Sequence, residues 1–227
     1  MSSAHHESTA KGTDGRLVDR MLFFSDAVFA IVLTIMVLEL HAPLMEARGA
    51  AQAQSPDALW AVLANMWRTF FAYVLSFAIV GMWWAFHMRV TRALHHFDWP
   101  AAVSNLTFIL AVTLIPFAAS VLGENINNPA AWSLYWGVNA AASFTLTAMM
   151  AVVTRGGGRL IGGITGRQRA GRLLQSAGPG LAFTVGSYLA CGSYAEWSPW
   201  CWVLIFPLSA VAHLVAGRTH PHVETQA

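Results

Sequence analysis

Apolar runs long enough to cross a bilayer recur along the chain, and short polar segments separate them. A hydrocarbon core about 30 Å thick takes roughly 20 residues of helix, so each run predicts one span. The first extends from about Leu17 to Leu40, interrupted near its start by Asp19, Arg20 and Asp26 and closed by Glu39, His41 and Pro43. The second reaches from about Leu59 to Met88, with Arg68 holding its first turns above the hydrocarbon and Phe70 to Trp84 inside it. The third, Trp99 to Leu122, contains Pro116, which membrane helices tolerate because neighbouring groups satisfy the freed carbonyl. The fourth runs from Ala131 to Val153. The fifth, Leu173 to Cys191, is rich in Gly and the least apolar, and the sixth, Trp200 to Val215, contains Pro207. The pattern predicts an all-α integral membrane protein with six transmembrane helices over 17–217. A polar, disordered tail over 1–16 precedes them, lacking the apolar core of a cleaved signal peptide, and a second tail follows over 218–227.

Composition supports a lipid setting. Of 227 residues 56% are hydrophobic and 11% charged, whereas a soluble domain carries about 25% charge to solvate its surface. Six crossings leave no room for a second, soluble domain. The formal charge of +2, spread over loops, predicts no nucleic-acid partner. Its distribution fixes an orientation, because Lys and Arg in short loops stay on the cytoplasmic side. With six spans, one side holds Lys11, Arg16, Arg20, Arg89, Arg92, Arg155, Arg159, Arg167, Arg169, Arg172 and Arg218, and the other only Arg48 and Arg68. That second side carries Glu46, Asp57, Glu124 and Glu196, so both termini are expected in the cytoplasm. Cys191 ends the fifth run and Cys201 begins the sixth, a spacing that admits either a hairpin disulfide or two separate apolar thiols.

An acidic side chain inside a span costs roughly 2.5 to 3.5 kcal/mol on insertion scales, so Asp26 is either functional or held by polar partners. Arg20, His87 and Asn105 fall at similar depth if the orientation holds. Two readings follow: an interhelical network that fixes packing, or a group that binds or relays a cation. Thr184-Val185-Gly186-Ser187-Tyr188 partly matches the TVGYG loop whose carbonyls make a potassium filter. It lacks the second glycine and lies inside a helix, so it reads as coincidence. The Gly156–Gly166 loop has no Gly-Lys-Ser/Thr and reads as a linker whose arginines meet anionic headgroups. His95 and His96 have no ligand partner at helical spacing, so no metal site is expected, and no nucleophile arrangement indicates an enzyme.

Arg20, Phe24, Ser25 and Asp26 form Arg-x-x-x-Phe-Ser-Asp at the start of the first span, continuing as AVFAIVLTIMVLEL. This resembles the signature of the transmembrane protein 175 family, potassium channels of endolysosomes and bacteria. The likeness extends to Ser76-Phe77, to Trp84-x-x-His87, to Asn105 with Ile115-Pro116-Phe117, and to Leu122-Gly123-Glu124, over about the first 150 residues; Met88 stands where the family often has a second His. The resemblance implies a homotetramer in a bacterial plasma membrane whose first helix lines a central pore, with K+ as permeant ion and no cofactor. At about 100° per residue, Ala27, Ile31, Thr34 and Leu38 fall in one stripe about 60° wide. Periodicity alone reads this stripe as ordinary packing. The family pattern places its apolar constriction on Ile31, the next layer on Thr34 and a further one on Leu38, in place of a carbonyl filter. Asp26, about 100° from Ala27, then turns to neighbouring helices, and Glu39 stands at the outer mouth. A small proton-coupled transporter using Asp26 and His87 is the alternative, followed by a membrane enzyme or haem carrier using His87 and His213.

Overall fold

The computed structural model describes residues 2–40, 56–96 and 98–216, with 2–14, Ala58, His213, Val215 and Ala216 described by backbone alone. The described residues form helices α1 (Ser2–Leu38), α2 (Pro56–Asn65), α3 (Trp67–Thr91), α4 (Trp99–Thr113), α5 (Ile115–Glu124), α6 (Pro129–Val153), α7 (Gly166–Cys191) and α8 (Ile205–Ala216). By length and apolarity, Gly15–Leu38, Trp67–Thr91, Trp99–Glu124 and Pro129–Val153 qualify as membrane spans. The protein is thus an all-helical, multi-pass membrane protein.

Several boundaries differ from the sequence expectation, each for a local reason. The expected tail over 1–16 carries helical backbone from Ser2, continuous with the first span; adding turns to an existing helix avoids the cost of a new nucleus. The tail at 218–227, Glu46, Arg48 and Arg218 lie outside the described residues, as do the side chains of Lys11 and His213. The second apolar run divides at Met66 into α2 and α3. The third breaks between α4 and α5, because Pro116 has no N–H to give the preceding turn and its ring excludes a regular one. The chain tightens there, with Leu114 N–H donating to Ala111 O over 3.3 Å. In the sixth run a 3-10 segment, Ala195–Leu204, precedes α8, and Pro207 sits in the first turn of α8, where a missing N–H costs nothing.

The core is built around α6. Trp83, Tyr135, Trp136, Phe108, Phe183 and Leu146 are fully buried there, with Trp136 stacked on Phe183 at 5.2 Å between ring centroids. Helix α7 is poor in apolar bulk but packs by absence of side chains. A Cβ on Gly186 would lie 2.3 Å from Cys201 Sγ, and one on Gly180 2.8 Å from Ser143 Oγ. Small residues let membrane helices approach closely where lipid supplies no hydrophobic drive. Both cysteines are free: Cys191 lies 3.2 Å from the Ser133 hydroxyl, and Cys201 is buried. The Thr184–Tyr188 segment is helical throughout, with Gly186 O accepting from the Ser198 hydroxyl.

The helix ends fall into two groups. Asp98, which caps α4 by accepting from Ala101 N–H at 3.0 Å, pairs with Arg155 and lies 3.9 Å from Arg159. His95 N–H donates to Leu160 O at 2.8 Å. These bonds tie the α3–α4 connection to the α6–α7 connection. At the opposite end Arg68, Glu124 and Asn128 line one depression.

Candidate pore helix and its polar anchor

Helix α1 has two unlike faces. Ser25, Phe29, Val32 and Met36 recur at helical spacing and are buried, each at 3% exposure or less, against α3, α4 and α5. About 160° round the helix lie Ala27, Ile31, Thr34 and Leu38, all exposed; Ile31 is 54% and Leu38 70% exposed. The chain by itself therefore leaves this apolar back face without protein cover. The Thr34 hydroxyl donates to the Ala30 and Ile31 carbonyls, 2.9 Å from each.

The covered face is registered by polar bonds. Asn105 Nδ2 on α4 donates to Ser25 Oγ on α1 at 3.0 Å, and Ser25 in turn donates to Met21 O at 2.9 Å. Asn105 Oδ1 lies 2.7 Å from His87 Nε2 on α3. An amide oxygen only accepts, so His87 carries its proton on Nε2 and is held as that tautomer. The ring stacks on Phe108 at 5.5 Å and meets Phe29 at 5.7 Å. Its Nδ1 is buried with no hydrogen-bond partner. Ser25, His87 and Asn105 are each 1% exposed or less, and they join three helices at one depth.

Asp26 stands beside this chain of bonds rather than within it. Its Oδ1 accepts from Trp84 Nε1 at 2.9 Å. Trp84 was not among the residues singled out as a partner by sequence; the signal lay in its place one turn before His87. Arg20 and Phe24 are exposed, and Arg20 forms no ion pair with Asp26. Glu39 does not share the Ile31 face: it lies about 110° away by helical angle, lining a cleft with Thr69, Tyr73, Pro116 and Ser120. The structure thus brings Ser25, His87 and Asn105 together, pairs Asp26 with Trp84, and separates Arg20 and Glu39 from both groups. Two further buried bonds, Ser76 to Tyr135 at 3.0 Å and Trp83 Nε1 to Asn139 Oδ1 at 3.1 Å, fix α3 on α6.

Residues 20–116, which contain this anchor, match the family described as endosomal/lysosomal potassium channel TMEM175. The chain is 31% identical over 105 residues to a protein of Streptomyces collinus named a potassium channel, covering 46% of this chain and 47% of that one. It is 30% identical over 125 residues to a potassium channel of Chamaesiphon minutus, covering 52% and 57%. It is also 28% identical over 120 residues to a mouse protein named endosomal/lysosomal proton channel TMEM175, covering 53% of this chain and 22% of that one. The matches span about half the length of these bacterial relatives. In fold, the chain is similar to the crystal structure of a lysosomal potassium-selective channel TMEM175 homologue from Chamaesiphon minutus, with a TM-score of 0.69, 24% identity, and coverage of 87% of this chain and 99% of that one.

Proposed function

We propose that this chain, whose residues 20–116 match the family described as endosomal/lysosomal potassium channel TMEM175, is a passive cation channel with potassium as its permeant ion. Six helical rods cross a bacterial plasma membrane with both termini in the cytoplasm, and copies assemble as a homotetramer around α1. The observation that carries this reading is the asymmetry of α1: one face bonded to α3 and α4, the opposite face apolar and uncovered. Fourfold assembly aims that face at a common axis. Ile31 then forms an apolar ring that excludes a fully hydrated ion, with Thr34 and Leu38 as successive layers beyond it; such rings gate by dewetting or force partial dehydration. Ser25, His87 and Asn105 hold the helix at the right rotation. Asp26, paired to Trp84, positions α1 and does not meet the ion. Glu39, at the outer end of α1, adds negative potential near the mouth through its neighbours rather than by facing the axis.

A second reading draws on the vertebrate relatives named proton channels and on the unpartnered His87 Nδ1: protons pass in place of potassium. The proton-coupled transporter is a third. Reconstitution into liposomes separates them. The channel reading expects potassium to run down its own gradient with no proton gradient present. Proton flux without potassium flux supports the second reading, and potassium movement that stops when the proton gradient is collapsed supports the third.

A further inference from the structure

A furrow between α3 and α7 lies outside the candidate pore. Its wall on α3 is a single stripe, Leu75, Ile79, Met82 and Phe86, at helical spacing. The first three of these line an apolar crevice of about 360 Å³ with Phe183 and Trp202. Phe86 lines a second, shallow cleft, of about 30 Å³, open to the surface, whose rim carries Arg89 and Arg172. Met82 and Phe86 are one turn apart, about 6 Å, and Phe183 and Arg172 are about 16 Å apart along α7. The two clefts are therefore successive stations of one furrow, apolar along its length and basic at one end.

The basic end differs from the arginine pair at Asp98. Arg155 and Arg159 share Asp98, whereas no carboxylate lines the cleft of Arg89 and Arg172, and neither has an ion-pair partner among the described residues. The Arg89 guanidinium lies over the Phe86 ring at 5.3 Å, which holds it at the point where the apolar furrow opens. Buried Leu146 and Met150 of α6 form the floor beneath. Two guanidiniums facing one space match a phosphate, to which each presents a fork of donors. An apolar trough leading away from them matches an acyl chain.

We infer that the α3–α7 furrow binds an anionic phospholipid, with its phosphate between Arg89 and Arg172 and an acyl chain laid along Phe86, Met82 and Ile79 towards Trp202. The site needs only a membrane setting and is independent of which ion the protein conducts. Native mass spectrometry of the intact assembly in mild detergent, with added phosphatidylglycerol or phosphatidylcholine of the same chains, reads it without any current. Phosphatidylglycerol should be retained more strongly, and Arg89→Gln with Arg172→Gln should weaken it about tenfold or more, while Arg92→Gln leaves it unchanged. Glycerol phosphate, the polar part without chains, should fail to compete. Equal retention of the two lipids, or full retention by the double variant, overturns the inference. An equal loss in Arg92→Gln reduces it to diffuse surface charge, displacement by glycerol phosphate makes it a soluble-anion site, and lipid binding only after the assembly dissociates gives the furrow to a neighbouring copy; each of these also overturns it.

Discussion

Asn105 serves two helices at once, accepting from His87 and donating to Ser25. Removing it leaves two buried polar groups unpaired, each costing about 1–3 kcal/mol by soluble-protein measure, though membrane side-chain bonds average nearer 0.6. Asn105→Ala should lower thermal stability in detergent by about 1–3 kcal/mol in total, and the fraction of assembled protein should fall with it. Asp26 offers a sharper contrast. Asp26→Asn retains an oxygen for Trp84 Nε1 and should assemble normally, whereas Asp26→Ala should lose assembled protein; gel filtration of the two variants checks this. If Asp26→Ala assembles fully and changes ion preference, Asp26 belongs to the ion path. Asp26, His87 and Asn105 were legible in the sequence because polar groups inside apolar runs are costly and few, and Ser25 only through the Arg-x-x-x-Phe-Ser-Asp motif. How they pair was not legible, because that depends on helix rotation: Arg20 lies only six residues before Asp26 on the same helix, yet Asp26 takes its partner from α3.

Apolar runs predicted the helices well and their internal breaks poorly. Hydropathy sums over a window and is blind to a missing N–H, so the division at Pro116 and the 3-10 lead into α8 came from backbone chemistry that the sum does not register. Helix α7 shows the converse. Its glycines made it the least apolar run, yet they are what seats it against α6 and the Ala195–Leu204 segment. Gly186→Val would drive its side chain into Cys201 and Trp136, an overpacking that costs about 1–3 kcal/mol or more. Gly186→Val should sharply reduce folded protein, while Gly81→Ala, with open space around it, should leave yield unchanged; fluorescence-detected chromatography of both distinguishes packing from a general intolerance of change in the helices.

At the scale of the whole molecule, Asp98 with Arg155, and His95 with Leu160, tie two arginine-bearing connections at one end of the bundle. Helices α4 to α6 thus leave and return to the same side, in keeping with the charge asymmetry read from sequence. Asp98→Ala removes both an N-cap and a partly exposed ion pair, a loss of about 1–2 kcal/mol, whereas Asp98→Asn keeps the cap and should lose well under half of that; thermal melts of both variants measure the difference. On the function proposed above, the pore is completed only by assembly, and the exposed back face of α1 is the surface offered to it. In the proposed channel this face meets its copies on an axis, with Ile31 as the constriction. The most direct test is single-channel recording of Ile31→Asn beside the wild type, with potassium and sodium on opposite sides. Conductance should rise about twofold or more, with the permeability ratio falling towards unity as the ring wets and widens. Unchanged conductance and an unchanged ratio in a normally assembled Ile31→Asn channel would contradict this placement of the constriction.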